Sequence, residues 1–187
     1  MDLPWGDPRT HKFVTNVGMI TSHGPNGDNI MAAEWTHHVS YSPGYIAVCL
    51  REDHATAENI KVTKEFGVNL AAQDQGWVSS VAGGSSGHQV DKVAALKALG
   101  VKFHTGNKIK AMMITGAAMN AECKLIQTVK LGDHTMYVGE VVEATAGDKP
   151  PAIFHSGKYW HFGEAISKPA QNFLDKVAQA VEKNKKE

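Results

Sequence analysis

Gly132-Asp133-His134-Thr135-Met136-Tyr137-Val138-Gly139-Glu140-Val141-Val142 follows Glu122-Cys123-Lys124-Leu125-Ile126-Gln127-Thr128-Val129-Lys130, and this pair of runs decides the fold. Both runs carry the β-branched residues that favour strands, and the second adds an aromatic. Leu131-Gly132-Asp133-His134 joins them with residues suited to a tight turn. The reading is a long β-hairpin with a histidine in its turn. That histidine is either a turn residue in solvent or a group presented to a ligand.

Working outward, residues 13–21 alternate as a strand, and the turn-rich stretch 23–29 ends it. Residues 30–38 and 45–50 read as the next strands, separated by Ser42-Pro43-Gly44. A helix is expected from Thr56, whose hydroxyl can cap the free amides that follow. Residues 66–70 form a short strand. Val90, Val93, Ala94 and Leu96 lie at helical spacing within 90–99, and Gly100 stops that helix. After the hairpin come a short segment at 152–154, the aromatic run 158–162, and an amphipathic helix over about 170–182. The last carries Phe173, Leu174, Val177 and Val181 on one face. Strands lead and helices are inserted between them, without a regular βαβ alternation. This predicts a mainly β chain, an antiparallel barrel with appended helices, in one domain over 1–187.

Composition narrows the function. Within 187 residues, 19 Lys and Arg balance 19 Asp and Glu, so nothing favours nucleic acid or an anionic membrane. The charged end 182–187 reads as solvated. Residues 1–8 have no basic start and no apolar run, so no secretory signal is expected, and no stretch approaches a membrane span. Cys49 and Cys123 sit in apolar runs and read as buried free thiols. A cytoplasmic protein is expected.

Three motifs have competing readings. Gly83-Gly84-Ser85-Ser86-Gly87 matches the G-x-S-x-G pattern of serine hydrolases, but the polar, interrupted residues 74–81 before it do not read as the buried strand that motif requires. A loop of small donors able to approach a ligand closely is the better reading. Ten histidines invite a metal, yet His37 and His38 point to opposite faces of a strand and no ligand-like spacing occurs, so no metal site is assigned. Arg51-Glu52-Asp53-His54-Ala55-Thr56 leads from a strand into a helix. It reads either as an anion site, built from free amides, a hydroxyl and a guanidinium, or as a capped helix with a surface arginine.

Seven blocks in order resemble the flavin reductase-like family of FMN-binding split barrels. They are residues 29–43, 45–50, 56–60, 66–69, 83–92, Glu122-Cys123 and 132–142, and the resemblance covers roughly 12–165. One departure is Ser42-Pro43-Gly44, where the family commonly has Asp-Pro-Pro after the serine.

The resemblance implies an antiparallel six-stranded split barrel forming a homodimer, with FMN near the subunit interface. Met31, Ala32, Ala33, Glu34 and Trp35 would line the flavin ring, with Ser40 beside it, and Asn29, at the head of the same block, would also bind the cofactor. Arg51, His54 and Thr56 would hold the phosphate. Asn59 and Ser85-Ser86-Gly87 would close over the ribityl chain, and Lys92 could add charge. The aromatic run 158–162 is a candidate cover from the neighbouring subunit. His134 resembles a family histidine facing the open side of the flavin, where it contacts a nicotinamide or an electron acceptor, or merely pins the hairpin. The implied activity is an NADH- or NADPH-dependent reductase passing electrons to free flavin, ferric complexes or a partner oxygenase. The alternative is a flavoredoxin-like carrier that exchanges electrons with proteins and does not turn over nicotinamide. Nothing in the sequence separates FMN from FAD.

Overall fold

The computed structural model describes residues 1–185. The expected hairpin is its longest feature: β9 (Met119–Leu131) and β10 (His134–Ala146) pair antiparallel across Gly132-Asp133. Gly132 takes φ +58°, which suits the glycine demanded by the first position of a tight two-residue hairpin loop. Two register shifts, near Val138 and Val141, bend the ribbon so that it can curl.

The chain reaches this hairpin through β1 (Thr15–Asn16), β2 (Gly18–Ser22), β3 (Asn29–Ala33), β4 (Thr36–Tyr41), β5 (Gly44–Leu50), helix α1 (Ala55–Thr63) and β6 (Glu65–Leu70). Helices α2 (Gly76–Gly83) and α3 (Lys92–Ala98) follow, then the small ribbon β7 (Phe103–Thr105) and β8 (Met112–Ile114). After the hairpin come β11 (Ile153–His155), β12 (Lys158–Trp160) and α4 (Gln171–Lys183). The main sheet is antiparallel, in the order β3-β2-β6-β9-β10-β5-β4.

That sheet has seven strands where six were expected, and the extra one has a physical origin. Its two edges, β3 and β4, are halves of one run interrupted only by Glu34 and Trp35. At the break, Thr36 Oγ1 donates to the Ala33 carbonyl (3.0 Å), while the Trp35 carbonyl accepts from Cys49 N (3.0 Å). A bent strand therefore pairs with β2 through one half and β5 through the other, and the sheet returns on itself. Gly18 permits the bend, since a Cβ there would lie 2.3 Å from Thr36 Oγ1.

The interior is filled by Ile20, Val48, Phe66, Val68 and Tyr137 from the strands, together with Ala57 and Ile60 from α1. Side chains alternate along a strand, so β2 sends Ile20 inward and Met19 outward. Met19 joins Ile30, Val78, Ala82, Val93 and Leu96 in a second core under α2 and α3. This explains why every residue of β2 is buried.

Several local expectations shift. The strand read over 13–21 starts later, leaving Phe13 and Val14 exposed. Thr56 does not cap α1; His54 occupies that position without a side-chain cap, and Thr56 lies within the first turn. The segment 74–81, read as polar and interrupted, holds most of α2, whose Val78 and Ala82 are buried four residues apart. Helix α3 begins after Asp91, which accepts from Ala94 N (2.8 Å). Cys123 is buried and free, whereas Cys49 is also free but only partly covered. The charged end 182–187 falls partly outside the described residues.

Candidate functional site

The strand bend builds the floor of the site. Around β3 and Glu34-Trp35 lie three adjoining cavities of about 970, 430 and 330 Å³. Met31, Ala32 and His54 line both the largest and the smallest, so these two are neighbours. The largest is walled by Met31, Ala32, Ala33, Glu34 and Trp35, by Cys49, Leu50 and Arg51 at the end of β5, and by Asp133-His134 from the hairpin tip. The N-terminal arm, including Leu3, Trp5 and Phe13, and the turn between β11 and β12 complete it.

Closure of the sheet brings hairpin and floor together. The rings of Trp35 and His134 meet with centroids 4.7 Å apart, and His134 Nδ1 is 2.9 Å from Asp133 Oδ1. Beside them, Glu52 anchors the end of β5 to both strands of the hairpin by accepting from Thr135 Oγ1 of β10 (2.6 Å) and Lys130 Nζ of β9 (3.1 Å). The Thr135 hydrogen bond, followed by Lys130, holds the Glu52 carboxyl at about 2. Arg51 pairs with Asp53 (3.3 Å), both well exposed.

The smallest cavity is a cradle of donors. Its walls are the first turn of α1 with Ala55 and Thr56, the loop Gly84-Ser85-Ser86-Gly87, and Lys92. Asn29 Nδ2 donates to Thr56 Oγ1 (2.8 Å), fixing that hydroxyl. Gly87 lies against the same amide so closely that a Cβ would stand 2.5 Å from Asn29 Oδ1. The Lys92 ammonium is buried, donates to the Ala82 carbonyl (2.8 Å), and has no carboxylate partner among the described residues. Burial pulls it down to about 8. His54 Nδ1 is buried without a hydrogen-bond partner. Burial lowers the His54 imidazole against the pull of Asp53, and Arg51, Lys92 and His134 lower it further.

An unpaired buried cation, an unpartnered ring nitrogen and the free amides of a helix start are what an anion would satisfy. The apolar floor leading away from them suits a planar ring. The residues therefore fit a phosphate-bearing aromatic group laid from cradle to hairpin.

Most of the residues singled out in the sequence meet here. Asn29, Met31, Ala32, His54, Thr56, Ser85, Ser86, Gly87 and Lys92 line the cradle; Ala33, Glu34, Trp35, Arg51 and His134 line the larger cavity. Arg51 was read with the phosphate group, but it lines the large cavity and not the cradle; Lys92 is the cradle's cation. Two residues stand apart. Ser40 lines none of the three cavities and donates to the Pro43 carbonyl (2.7 Å) within the β4–β5 turn. Asn59 is fully buried, donates to Ser22 Oγ (3.1 Å) and the Gly27 carbonyl (3.0 Å), and ties α1 to the β2–β3 turn.

Other residues at the site escaped sequence reading. Trp5, Ser79, Ser80 and Phe154 line the second cavity, and Cys49 lines the first. Tyr159, read as part of a cover supplied by a neighbouring subunit, folds onto its own chain: a Cβ at Gly76 of α2 would meet its ring at 2.8 Å. The only sequence signal for this wall is the density of aromatic residues near each end of the chain.

A family model described as flavin reductase like domain matches residues 10–163. The chain is similar to an NADH-dependent FAD reductase of Streptomyces globisporus, 27% identical over 152 residues that cover 80% of each chain. Among solved structures it is similar to the flavin reductase PheA2 in its native state, at 28% identity and TM-score 0.73, covering 88% of this chain and 100% of that one. It is also similar to the flavoredoxin of Desulfovibrio vulgaris (Miyazaki F), at 26% identity and TM-score 0.74, covering 90% and 97%.

Proposed function

We propose, from the premise that the chain belongs to the flavin reductase-like family, that it binds FMN, alone or as one half of FAD, and works as an NADH- or NADPH-dependent reductase. The observation that carries this reading is the adjacency of an apolar floor at Met31, Ala32 and Ala33 and a cradle holding the buried Lys92, which has no carboxylate partner among the described residues. Lys92, Thr56, His54 and the amides opening α1 would hold the phosphate. Asn29 would position Thr56, and Ser85-Ser86-Gly87 would border the ribityl chain. Met31, Ala32, Ala33, Glu34 and Trp35 would support the ring. Bound there, the flavin supplies hydride and electron transfer, so the chain need not provide a general acid or base. Its own residues bind, orient and shield. His134 borders the large cavity against Trp35, where a donor or acceptor would approach.

The electron acceptor is free flavin, a ferric complex or a partner oxygenase. The similarity to a flavoredoxin favours a second reading, a carrier exchanging electrons with proteins. One experiment tests both. Purified protein is titrated with FMN, then the loaded form is mixed anaerobically with NADH or NADPH. Bleaching of the flavin absorbance supports the reductase. A protein that binds FMN but bleaches with neither nucleotide supports the carrier, and one that binds no flavin overturns both.

The working unit is proposed to be a cytoplasmic homodimer of a single-domain chain. The support is apolar surface left open: Trp160, Phe162 and Ile166 are exposed, and α4 buries none of its residues despite its amphipathic pattern. No described helix is long and apolar enough to cross a membrane.

A further inference from the structure

We infer, resting on the flavin reading above, that the N-terminal arm is a strap that closes on the flavin ring and holds it through turnover. The flavin then works as a resident cofactor and does not leave as a reduced product. The large cavity takes its lining from two sources. Met31, Ala33 and Leu50 come from the sheet, and Leu3, Trp5 and Phe13 come from the arm. The arm residues are barely packed there: Leu3 is 55%, Trp5 84% and Phe13 66% exposed. A planar ring resting on the floor at Met31 and Ala33 would cover them, and exchanging water for an aromatic face favours closure.

The arm is arranged to move as one piece, because among the described residues its hydrogen bonds up to Lys12 are internal. The Asp7 carboxylate accepts from Arg9 N (2.8 Å), Nε (2.9 Å) and Nη2 (2.7 Å). The Asp7 carbonyl accepts from Thr10 N (2.9 Å) and Oγ1 (2.7 Å). Arg9 Nη1 reaches back to Met1 Sδ (3.0 Å), so the guanidinium gathers the segment into a hook that ends in one 3-10 turn at Thr10–Lys12. The tie to the rest of the chain comes at Phe13, whose carbonyl lies 3.3 Å from His155 Nδ1. Phe13 and Val14, both exposed, join the hook to β1. A self-contained hook on a short exposed joint has the form of a hinged cover. Leu3, Trp5, Asp7 and Arg9 all precede residues 10–163 matched by the family model, so this cover belongs to the chain's own sequence and not to the matched domain.

A cover on the ring and a clamp on the phosphate differ in their kinetics. Measured are the entry and release rates of FMN and of riboflavin by flavin fluorescence, with a melting curve and light scattering. The proteins are wild type, the double variant Leu3→Ser with Trp5→Ser, and Arg9→Ala, which opens the hook. The strap meets the ring that both ligands share. L3S/W5S should therefore release FMN and riboflavin faster by a common factor of about ten or more, and should admit both faster. R9A should shift the rates in the same direction. Trypsin gives a second readout, since Arg9 and Lys12 are exposed. FMN and riboflavin should each slow cutting at these two residues about tenfold, and inorganic phosphate should not. Entry and release rates in L3S/W5S that match wild type, or cutting that neither flavin slows, overturn the strap and leave the flavin reading intact. Faster release with unchanged entry makes the arm a fixed wall and overturns it as a moving cover. A fall in mass with both flavin rates unchanged assigns the arm to contact between copies and overturns the strap too. A wild type that binds neither flavin overturns the flavin reading and the strap with it.

Discussion

Trp35 and His134, ninety-nine positions apart, meet with ring centroids 4.7 Å apart and planes tilted by 57°. One stands at the bend that lets a single strand serve both edges of the sheet, the other at the tip of the longest hairpin. Only closure of the sheet brings them together, so the pair reports on both the fold and the mouth of the site.

His134 should therefore influence electron transfer more than flavin retention. His134→Ala removes a tilted ring contact worth roughly 0.5–1.5 kcal/mol, which converts to about a two- to tenfold change in the rate of reduction or reoxidation if it is made as the reaction proceeds. FMN affinity should stay near wild type. Stopped-flow traces paired with a melting curve decide the matter: unchanged rates with a lowered melting temperature would show that the imidazole only supports Trp35 and the hairpin turn.

Lys92 and Arg51 make opposite predictions about the phosphate. Lys92→Met removes the buried cation of the cradle and should cost about 1.5–3 kcal/mol of FMN binding, a ten- to hundredfold loss. Riboflavin, which lacks the phosphate, should bind both proteins alike. Arg51→Ala, whose guanidinium is exposed and paired with Asp53, should change the FMN-to-riboflavin ratio less than threefold. The reverse ranking would move the phosphate out of the cradle into the large cavity.

The same lysine gives a pH signature with a defined sign. Burial depresses Lys92 to about 8, well below an unfolded lysine. Between pH 8 and the unfolded value the unfolded state binds more protons, so this group's contribution to the stability of the flavin-free protein rises with pH. Phosphate binding needs the charged form, so FMN affinity relative to riboflavin should fall across the same interval. Titrations at pH 7, 8 and 9.5 check it; a ratio independent of pH would mean that Lys92 does not meet the phosphate.

How far the sequence revealed this depends on the kind of signal each residue carries. The hairpin was legible because Gly132 needs positive φ and its flanks have strand composition. The bend at Glu34-Trp35 was not, because the run of residues 30–38 has no glycine or proline to mark a break and only pairing with both β2 and β5 exposes it. Helix α2 was hidden by glycines at both ends and by serines that turn helical only through packing of Val78 and Ala82. In the site, the Asn29-to-Trp35 block and the 85–87 loop followed from a resemblance in sequence order. The same order carried in Asn59, whose amide is spent on Ser22 and Gly27. The N-terminal arm has no periodicity at all. Its Asp7–Arg9 pair, formed by local hydrogen bonds, shapes a hook that only three-dimensional contact places at the cavity.

The exposed face of α4 carries the last prediction. Phe173, Leu174, Val177 and Val181 recur at helical spacing, yet each is at least 38% exposed, and the helix lies beyond the residues matched by the family model. An apolar stripe of this kind is unfavourable in water and is stabilised when a second surface covers it. The continuation through Trp160, Phe162 and Ile166 offers such a surface on a second copy, and a stable pair would need about 1,200–2,000 Å² buried in total. Light scattering at micromolar concentration should give twice 20.2 kDa. Phe173→Asp combined with Val177→Asp should shift the mass to the monomer and lower the melting temperature by several degrees, without altering FMN affinity in a pure packing role. A wild type that runs as a monomer would leave α4 without a partner of its own kind and retire the dimer.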